Sequence, residues 1–410
     1  MASPGNKKRI LIFSMAYLPK HVGGAEIAIK EITDRVVSPD FEFHMIANRY
    51  DDTLPETEWI GNVLVHRIGM TEHNPSITDL RKWPLRLQKF LFQIQAAFKA
   101  QRLHKTYGYV GIWAMMAHSC GIPAVLFRLR NPRIKYALTL QEGDPPEKIE
   151  RAMLPFWPLF SRAFKTPTVI QTISTFLASW AKRRGARCAI EVIPNGVDIA
   201  HFAQPYDKEK IAKANEAIGR GRDEVWLVTT SRLVYKNAID DVITALSRLP
   251  VHIKFAILGV GPEEKKLREQ VETLGLQSRV SFVGHVGHDV LPSYLQACDI
   301  FVRPSRSEGM GNSFIEAMVS AIPVIGTHEG GISDFLFDET HNPGKQPTGW
   351  VVRKNSPEDI ANAVLDILEK PEHTEEVLRN ARGMVHERFS WDNIAQQMYE
   401  RVFTPILRDW

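Results

Sequence analysis

The stretch that concentrates the most chemistry is Ser305-Arg306-Ser307-Glu308-Gly309-Met310-Gly311-Asn312-Ser313-Phe314-Ile315-Glu316-Ala317-Met318. It follows an apolar, strand-like run (Asp299–Arg303) and leads into a helical one (Ser313–Ser320), so its glycines fall in a strand-to-helix loop. Unpaired amide N–H groups and the positive end of a helix at such a loop attract a phosphate. Two carboxylates flank it, Glu308 on the loop and Glu316 about two turns further on, both able to edge one crevice. Ionised carboxylates accept hydrogen bonds from hydroxyls such as those of a sugar or a ribose. The plainer alternative is a helix cap and a solvated glutamate on a helix face. Near the start of the chain, Gly23-Gly24 offers backbone without Cβ, which can approach a ligand closely or adopt positive φ; an ordinary turn is the alternative. Two phosphate signatures are missing: Gly-x4-Gly-Lys-Ser/Thr, and Gly-x-Gly-x-x-Gly after the first strand.

The elements that must position these residues alternate. Strands are expected at Arg9–Ser14, Phe43–Ala47, Val63–Ile68, Val110–Ala114, Tyr136–Leu140 and Ala189–Ile193, with helices at Ala25–Val37 and Phe176–Arg184. After Pro194-Asn195-Gly196 the alternation restarts. Strands fall at Val225–Thr230, Val251–Leu258, Val280–Val283, Asp299–Arg303 and Pro323–Gly326, and helices at Ala238–Ser247, Glu263–Leu274, Val290–Ala297 and Ser313–Ser320. Such spacing implies an α/β protein with parallel sheets. The helices Pro357–Glu369, Glu375–Phe389 and Trp391–Phe403 have no strands between them and are expected to pack around the outside. At 410 residues the chain exceeds what one core supports, so two domains of roughly 200 residues are expected. We place them at 1–195 and 196–385, with 386–410 returning to the first.

Apolar content of 44% suits a soluble globular protein, and no run approaches the roughly 20 apolar residues of a membrane span. Lys7-Lys8-Arg9 before Ile10–Phe13 imitates a signal peptide. Lys20 and His21 follow too soon, however, and no small-residue cleavage site is evident, so a buried first strand is the expectation. Cys120, Cys188 and Cys298 are odd in number and widely spaced, which suits neither a disulfide framework nor a zinc site and fits a reducing cytoplasm.

Several segments together resemble the retaining family 4 (group 1) glycosyltransferases of the GT-B fold. They are Glu308-x7-Glu316, Gly23-Gly24-Ala25-Glu26, Ile193-Pro194-Asn195-Gly196-Val197-Asp198, Ser231-Arg232-Leu233-Val234, Leu258-Gly259-Val260-Gly261-Pro262, Val280-Ser281-Phe282-Val283-Gly284 and Phe389-Ser390-Trp391. They span nearly the whole chain in the family's order. The resemblance implies two Rossmann-like domains whose parallel sheets face across a cleft, with acceptor bound by the first and nucleotide-sugar by the second. It implies that Glu316 binds the ribose, and that Glu308 with the backbone of Gly309, Met310, Gly311 and Asn312 binds the donor sugar. Arg232 and a nearby lysine would neutralise the leaving diphosphate, and Gly23, Gly24 and Gly261 would shape the donor site. No cofactor is expected. The Asp-x-Asp metal signature of the other large glycosyltransferase fold is missing, so metal-independent transfer is expected, with Arg232 and Lys236 supplying the positive charge.

Two positions depart from the family pattern. Its diphosphate lysine usually stands five residues after the arginine and before a glycine, where this chain has Asn237 and Ala238; Lys236 is the substitute. Many relatives also carry a histidine after the strand corresponding to Tyr136–Leu140, where this chain reads Gln141-Glu142-Gly143-Asp144. Glu142, Asp144 and His118 stay open as the general base. Gln141 can orient a hydroxyl but cannot take its proton.

Charge is unevenly distributed. Residues 1–195 hold 27 Lys/Arg against 16 Asp/Glu, and no acidic residue lies between Asp79 and Glu142, where eleven Lys/Arg occur. The basic half is expected to face something anionic. Within 81–105, Leu87, Leu91, Ile94 and Phe98 share one helical face, opposite Lys82, Arg86, Lys89 and Gln93. A basic amphipathic helix of this kind docks on an anionic membrane surface, as would a second cluster at Met153–Phe164. The alternative is that both pack on their own domain. No nucleic-acid module accompanies the charge. The expectation is therefore a cytoplasmic, peripherally membrane-bound enzyme. It would move a hexose from a UDP- or GDP-sugar to a hydroxyl of a glycan or lipid-linked acceptor, with retention. The alternatives are an epimerase or phosphorylase on the same fold, or a non-catalytic glycan- or membrane-binding relative.

Overall fold

The computed structural model describes residues 7–20, 23–36, 41–75, 79–204 and 207–408. The chain divides into two units, Met1–Asn195 with Trp391–Trp410, and Gly196–Ser390.

The first unit is built on eight strands: β1 Lys8–Phe13, β2 Phe41–Asn48, β3 Thr57–Ile60, β4 Val63–Ile68, β5 Tyr109–Met115, β6 Lys135–Leu140, β7 Val169–Thr172 and β8 Ala189–Val192. Their order is β3-β4-β2-β1-β5-β6-β7-β8. Neighbours run parallel except for β3 against β4. Ile10–Phe13 are wholly buried; a parallel strand covered on both faces needs such an unbroken apolar run rather than an alternating one. The sequence expectation lacks β3 and β7. β3 is a partly exposed edge strand, and β7 is only four residues long with two polar positions, Gln171 and Thr172.

Helix α1 (Gly24–Arg35) covers one face; it was expected to reach Val37, which lies outside the described residues. Beside it pack Trp391, Ile394, Met398, Val402, Phe403 and Ile406 from the end of the chain. The Phe403 ring sits 5.4 Å from that of Phe43 and 5.1 Å from that of Trp113. On the other face lie α2 (Leu85–Tyr107), α3 (Ile122–Arg130) and the helix Trp157–Lys165. Helix α2 ends at Gly108, whose φ of 64° supplies the left-handed stop that glycine adopts without strain.

Helix α2 keeps Ile94 and Phe98 of the expected apolar face exposed, whereas it buries Gln93, expected on the opposite face. Its buried stripe is Leu85, Gln88, Phe92, Gln93, Ala96, Ala97 and Ala100. Trp83, Phe90, Ile94 and Phe98 are 76, 56, 51 and 54% exposed. Small alanines let the helix approach the sheet, and the buried amides are satisfied: Gln88 Nε2 donates to Asn48 Oδ1 (2.9 Å) and Gln93 Nε2 to the His118 carbonyl (3.1 Å). Bulky apolar side chains therefore stand outward among Lys82, Arg86, Lys99, Arg102 and Lys105. The side chain of Arg81 lies outside the described residues. The second cluster behaves differently: Phe160 and Phe164 are buried, and Arg184 lies 4.1 Å from the Trp157 ring.

The second unit holds six parallel strands: β9 Val225–Thr230, β10 Ile253–Leu258, β11 Val280–Gly284, β12 Ile300–Arg303, β13 Val324–Gly326 and β14 Trp350–Val351. Their order is β11-β10-β9-β12-β13-β14. The helices Ile239–Leu246, Glu264–Thr273 and Pro357–Glu369 pack Val242, Ile243, Leu267, Ile360 and Val364 onto one face. Connections leave β9 toward β10 on one side, and the chain returns to β12 on the other. The pair β9/β12 is thus the point where strand order reverses, outside whose carboxyl ends open α/β sheets bind ligands. In the first sheet the same reversal falls between β1 and β5.

Candidate functional site

Three loops leave the carboxyl ends of the adjacent strands β9, β10 and β12. The first carries Arg232, exposed and in no ion pair among the described residues. It then closes a short turn, Tyr235–Asn237, whose Lys236 brings Nζ to 3.8 Å from Glu308 Oε1. Asn237 points the other way: it is 4% exposed, and its amide donates to the Arg232 carbonyl at 2.7 Å. Ala238 takes φ 54°, the left-handed conformation that the family's glycine would adopt freely. Arg306 fastens the turn from the third loop. Its Nη1 donates to the Tyr235 carbonyl (2.8 Å), its guanidinium pairs with Asp240 and Asp241 (2.8 and 2.9 Å), and its backbone N–H donates to the Lys236 carbonyl (2.6 Å). Burial pushes the Asp241 carboxyl up, against the opposing pull of Arg306.

The second loop can pass only as glycine. A Cβ on Gly261 would stand 2.3 Å from the Leu233 carbonyl oxygen, and one on Gly259 would stand 1.8 Å from that of Ser231.

In the third loop, Glu308 is 12% exposed. Its Oε1 accepts the Gly309 N–H at 3.1 Å, and its Oε2 accepts from Arg303, the last residue of β12. Met310 is buried, and Gly311, at φ 96°, caps the helix Asn312–Val319. Glu316, on that helix, lies 3.7 Å from His288 Nε2, on the loop after β11. Among the described residues no hydrogen bond or ion pair joins Glu316 to Glu308. The structure therefore unites Lys236 and Glu308, sets Arg232 on the same loop as Lys236, and gives Glu316 a separate neighbour.

In the first unit, Gly23 precedes α1 with φ −128° and Gly24 is its first residue, so neither uses the left-handed freedom glycine offers. The Gly23 N–H donates to Glu26 at 2.8 Å, and burial raises the Glu26 carboxyl. His118 lies in a wide turn, Ala117–Gly121, after β5. Its Nδ1 is 3.4 Å from Oε1 of the buried Glu142, which also accepts the Ala117 N–H at 2.8 Å. Gln141 accepts from Asn195 (3.3 Å), and exposed Asp144 faces Lys148 (3.4 Å). His118 and Glu142 thus come together, whereas Gln141 and Asp144 have other partners. All three cysteines are free thiols. Among the described residues no helix is long and apolar enough to cross a membrane.

Residues 22–201 match the family described as Glycosyltransferase Family 4, and residues 210–384 match Glycosyl transferases group 1. The chain belongs to the group 1 glycosyltransferases. An uncharacterized glycosyltransferase of Methanocaldococcus jannaschii is 26% identical over 407 residues, 95% of this chain and 96% of that one. The GDP-mannose-dependent alpha-(1-6)-phosphatidylinositol monomannoside mannosyltransferase of Mycobacterium tuberculosis is 28% identical over 242 residues, 55% of this chain and 60% of that one. Among solved structures, Anabaena HepE in complex with UDP and glucose superposes with a TM-score of 0.75 at 21% identity, covering 97% of this chain and 100% of that one. This glycosyltransferase has the GT-B fold. Its sequence did not single out Arg303, Arg306 or His288. The one available signal was Arg303 itself, a cation closing an otherwise apolar strand.

Proposed function

We propose that this glycosyltransferase moves a hexose from a UDP- or GDP-sugar to a hydroxyl of a glycan or lipid-linked acceptor, with retention of configuration and without a metal. The observation that carries the reading is the Lys236–Glu308 contact, on the same loops as exposed Arg232, outside the reversal point of the second sheet. In this reading Arg232 and Lys236 stabilise the departing diphosphate, Glu308 and the Gly309–Asn312 backbone hold the sugar, and Glu316 holds the ribose. Preorganised cations aimed at developing phosphate charge take the part a metal would otherwise play. A nucleotide-sugar donor is supported by the GDP-mannose dependence of the mycobacterial relative and the UDP bound to HepE. Retention is supported by the family resemblance alone. Acceptor-side roles fall to the first unit, where His118 and Glu142 meet.

A lipid-linked acceptor agrees with the outward face of α2, whose aromatic and basic side chains suit an anionic bilayer on its cytoplasmic side. The phosphatidylinositol-linked acceptor named for the mycobacterial relative supports the same choice.

Calorimetry and thermal melts with UDP, GDP and ADP test the donor site. One of the first two is expected to bind and to stabilise the protein by about 2.7 kcal/mol at a hundredfold excess over Kd. Glu316→Ala is expected to fold normally and lose transfer at subsaturating donor; transfer near the wild-type rate would remove the ribose assignment.

A further inference from the structure

Arg303 is 7% exposed at the end of β12, and a buried guanidinium needs every donor answered. Its Nε donates to Ser305 Oγ (3.2 Å), its Nη1 to Ser313 Oγ (2.6 Å) and its Nη2 to Glu308 Oε2. The Phe314 ring lies 4.9 Å from the guanidinium carbon. These partners are spread along the whole sugar-binding stretch, from the strand end to the second residue of the helix.

We infer that Arg303 is a positioning residue for Glu308, and through it for the donor sugar. Ser305 and Ser313 fix the planar guanidinium itself, so its one charge-assisted bond, from Nη2, holds a single oxygen of Glu308 in place. With Oε2 held inward by Arg303, Oε1 is the oxygen turned toward Lys236 and the Gly309 N–H. Arg303 also takes up much of the Glu308 charge. Glu308 therefore competes less for Lys236 when a diphosphate arrives, and Lys236 can exchange partners while Glu308 stays in place. Without Arg303, Glu308 would swing toward Lys236, and the oxygen meant for a sugar hydroxyl would be lost. This inference rests on the donor-site reading above.

The test is a double-mutant cycle of Arg303→Met, Glu308→Gln and the two combined, with Arg303→Lys and Ser313→Ala alongside. Donor-sugar KM and kcat are measured together with calorimetric affinity for the nucleoside diphosphate alone. Arg303→Met is expected to lower kcat/KM for the nucleotide-sugar by about a hundredfold, the scale of a misplaced binding group. Affinity for the bare nucleoside diphosphate should stay within about twofold of wild type, the scatter of measurements at uncoupled sites. The combined variant should be no worse than Glu308→Gln, because the arginine acts only through that carboxylate. Arg303→Lys should recover part of the loss. Parallel loss of nucleoside diphosphate affinity, or a combined loss equal to the product of the two single losses, would overturn the positioning role and leave a merely structural one. Should Arg303→Met fail to fold, Ser313→Ala removes one of the arginine's anchors. It is expected to raise donor KM without changing nucleoside diphosphate affinity, and an unchanged KM would count against the role. If wild-type protein binds no nucleoside diphosphate at all, the donor-site reading itself fails.

Discussion

Asn237 and Ala238 stand where the family pattern has lysine and glycine, and their environments explain why the lysine cannot simply be restored. The Asn237 amide braces the Arg232 carbonyl from a buried position. Asn237→Lys would remove that bond and force an ammonium either into the interior or outward past the turn. We expect it to lower stability by about 1–3 kcal/mol, as the loss of a buried hydrogen bond does, measured by thermal or denaturant melting. It should not rescue Lys236→Met, which is expected to lose about 10²–10³ in kcat, the scale seen when one transition-state charge contact is removed. Full rescue would place the operative cation at 237 instead. Chain order alone made Lys236 readable as the substitute, because a flexible ammonium one residue away can reach the same point. Arg303 was not readable in that way. Its partners Ser305, Glu308 and Ser313 converge on it only once the strand, loop and helix are folded, and its neighbours Ile300–Val302 look like core.

Helix α2 shows where periodicity succeeds and where it fails. The helix and the exposure of Ile94 and Phe98 were legible, but the burial of Gln93 was not. Leu87, Leu91, Ile94 and Phe98 read as one apolar face suited to a membrane, and Ile94 and Phe98 are indeed exposed; Gln93, read on the opposite polar face, is instead buried with Gln88, Phe92 and the alanines. Hydrophobicity measures a residue's preference for burial, not whether the space beneath a close-packed helix can hold it. The exposed rings carry a prediction. Phe90→Ser with Phe98→Ser should weaken binding to phosphatidylglycerol-containing vesicles by about tenfold or more, given roughly 1.5–3 kcal/mol per fully buried large apolar side chain. The melting temperature should hardly change, because both rings are already more than half exposed. Co-sedimentation against neutral phosphatidylcholine vesicles is the control, and equal binding by variant and wild type would remove α2 from the membrane contact.

The paired strands β2 and β4 bury two imidazoles with a different consequence. Burial, reinforced by the charges of His44 and Lys99, pushes His66 down to about 4, and burial also lowers His44. Above the ordinary histidine value near 6.5 neither the folded nor the unfolded chain protonates His66, so its effect there is nil. As pH falls below 6.5 the unfolded chain binds a proton that the folded one refuses. Stability therefore declines until the folded group itself titrates near 4, by about 3 kcal/mol in all for His66. Denaturant melts at pH 7 and pH 5 should show His66→Asn losing about 2 kcal/mol less than wild type over that interval.

At the scale of the whole molecule, the two units differ in how the chain builds them. The second is contiguous from Gly196 to Ser390, its ends tied by the Val197 N–H donating to the Phe389 carbonyl at 2.8 Å. The first is not: it borrows its last core layer from residues beyond 390. The alternation of strands and helices made two sheets legible, since each parallel strand buried on both faces must be an apolar run followed by a crossover. Periodicity alone does not state which sheet an amphipathic helix will cover; 386–410 were expected to return to the first unit, and Trp391–Trp410 belong to it. Trp391, Met398, Phe403 and Ile406 are at most 4% exposed against Ile10, Phe43 and Trp113. Truncating one such ring, Phe403→Ala, is expected to cost about 3–5 kcal/mol, and removing residues 391–410 should cost more than a domain's whole margin of roughly 5–15 kcal/mol. Residues 196–390 expressed alone should then melt cooperatively and keep their nucleoside diphosphate affinity. Residues 1–195 alone should show no cooperative transition until 391–410 are fused back through a flexible linker. A cooperative melt of 1–195 by itself would mean that the returning helices only cover a core that is already complete.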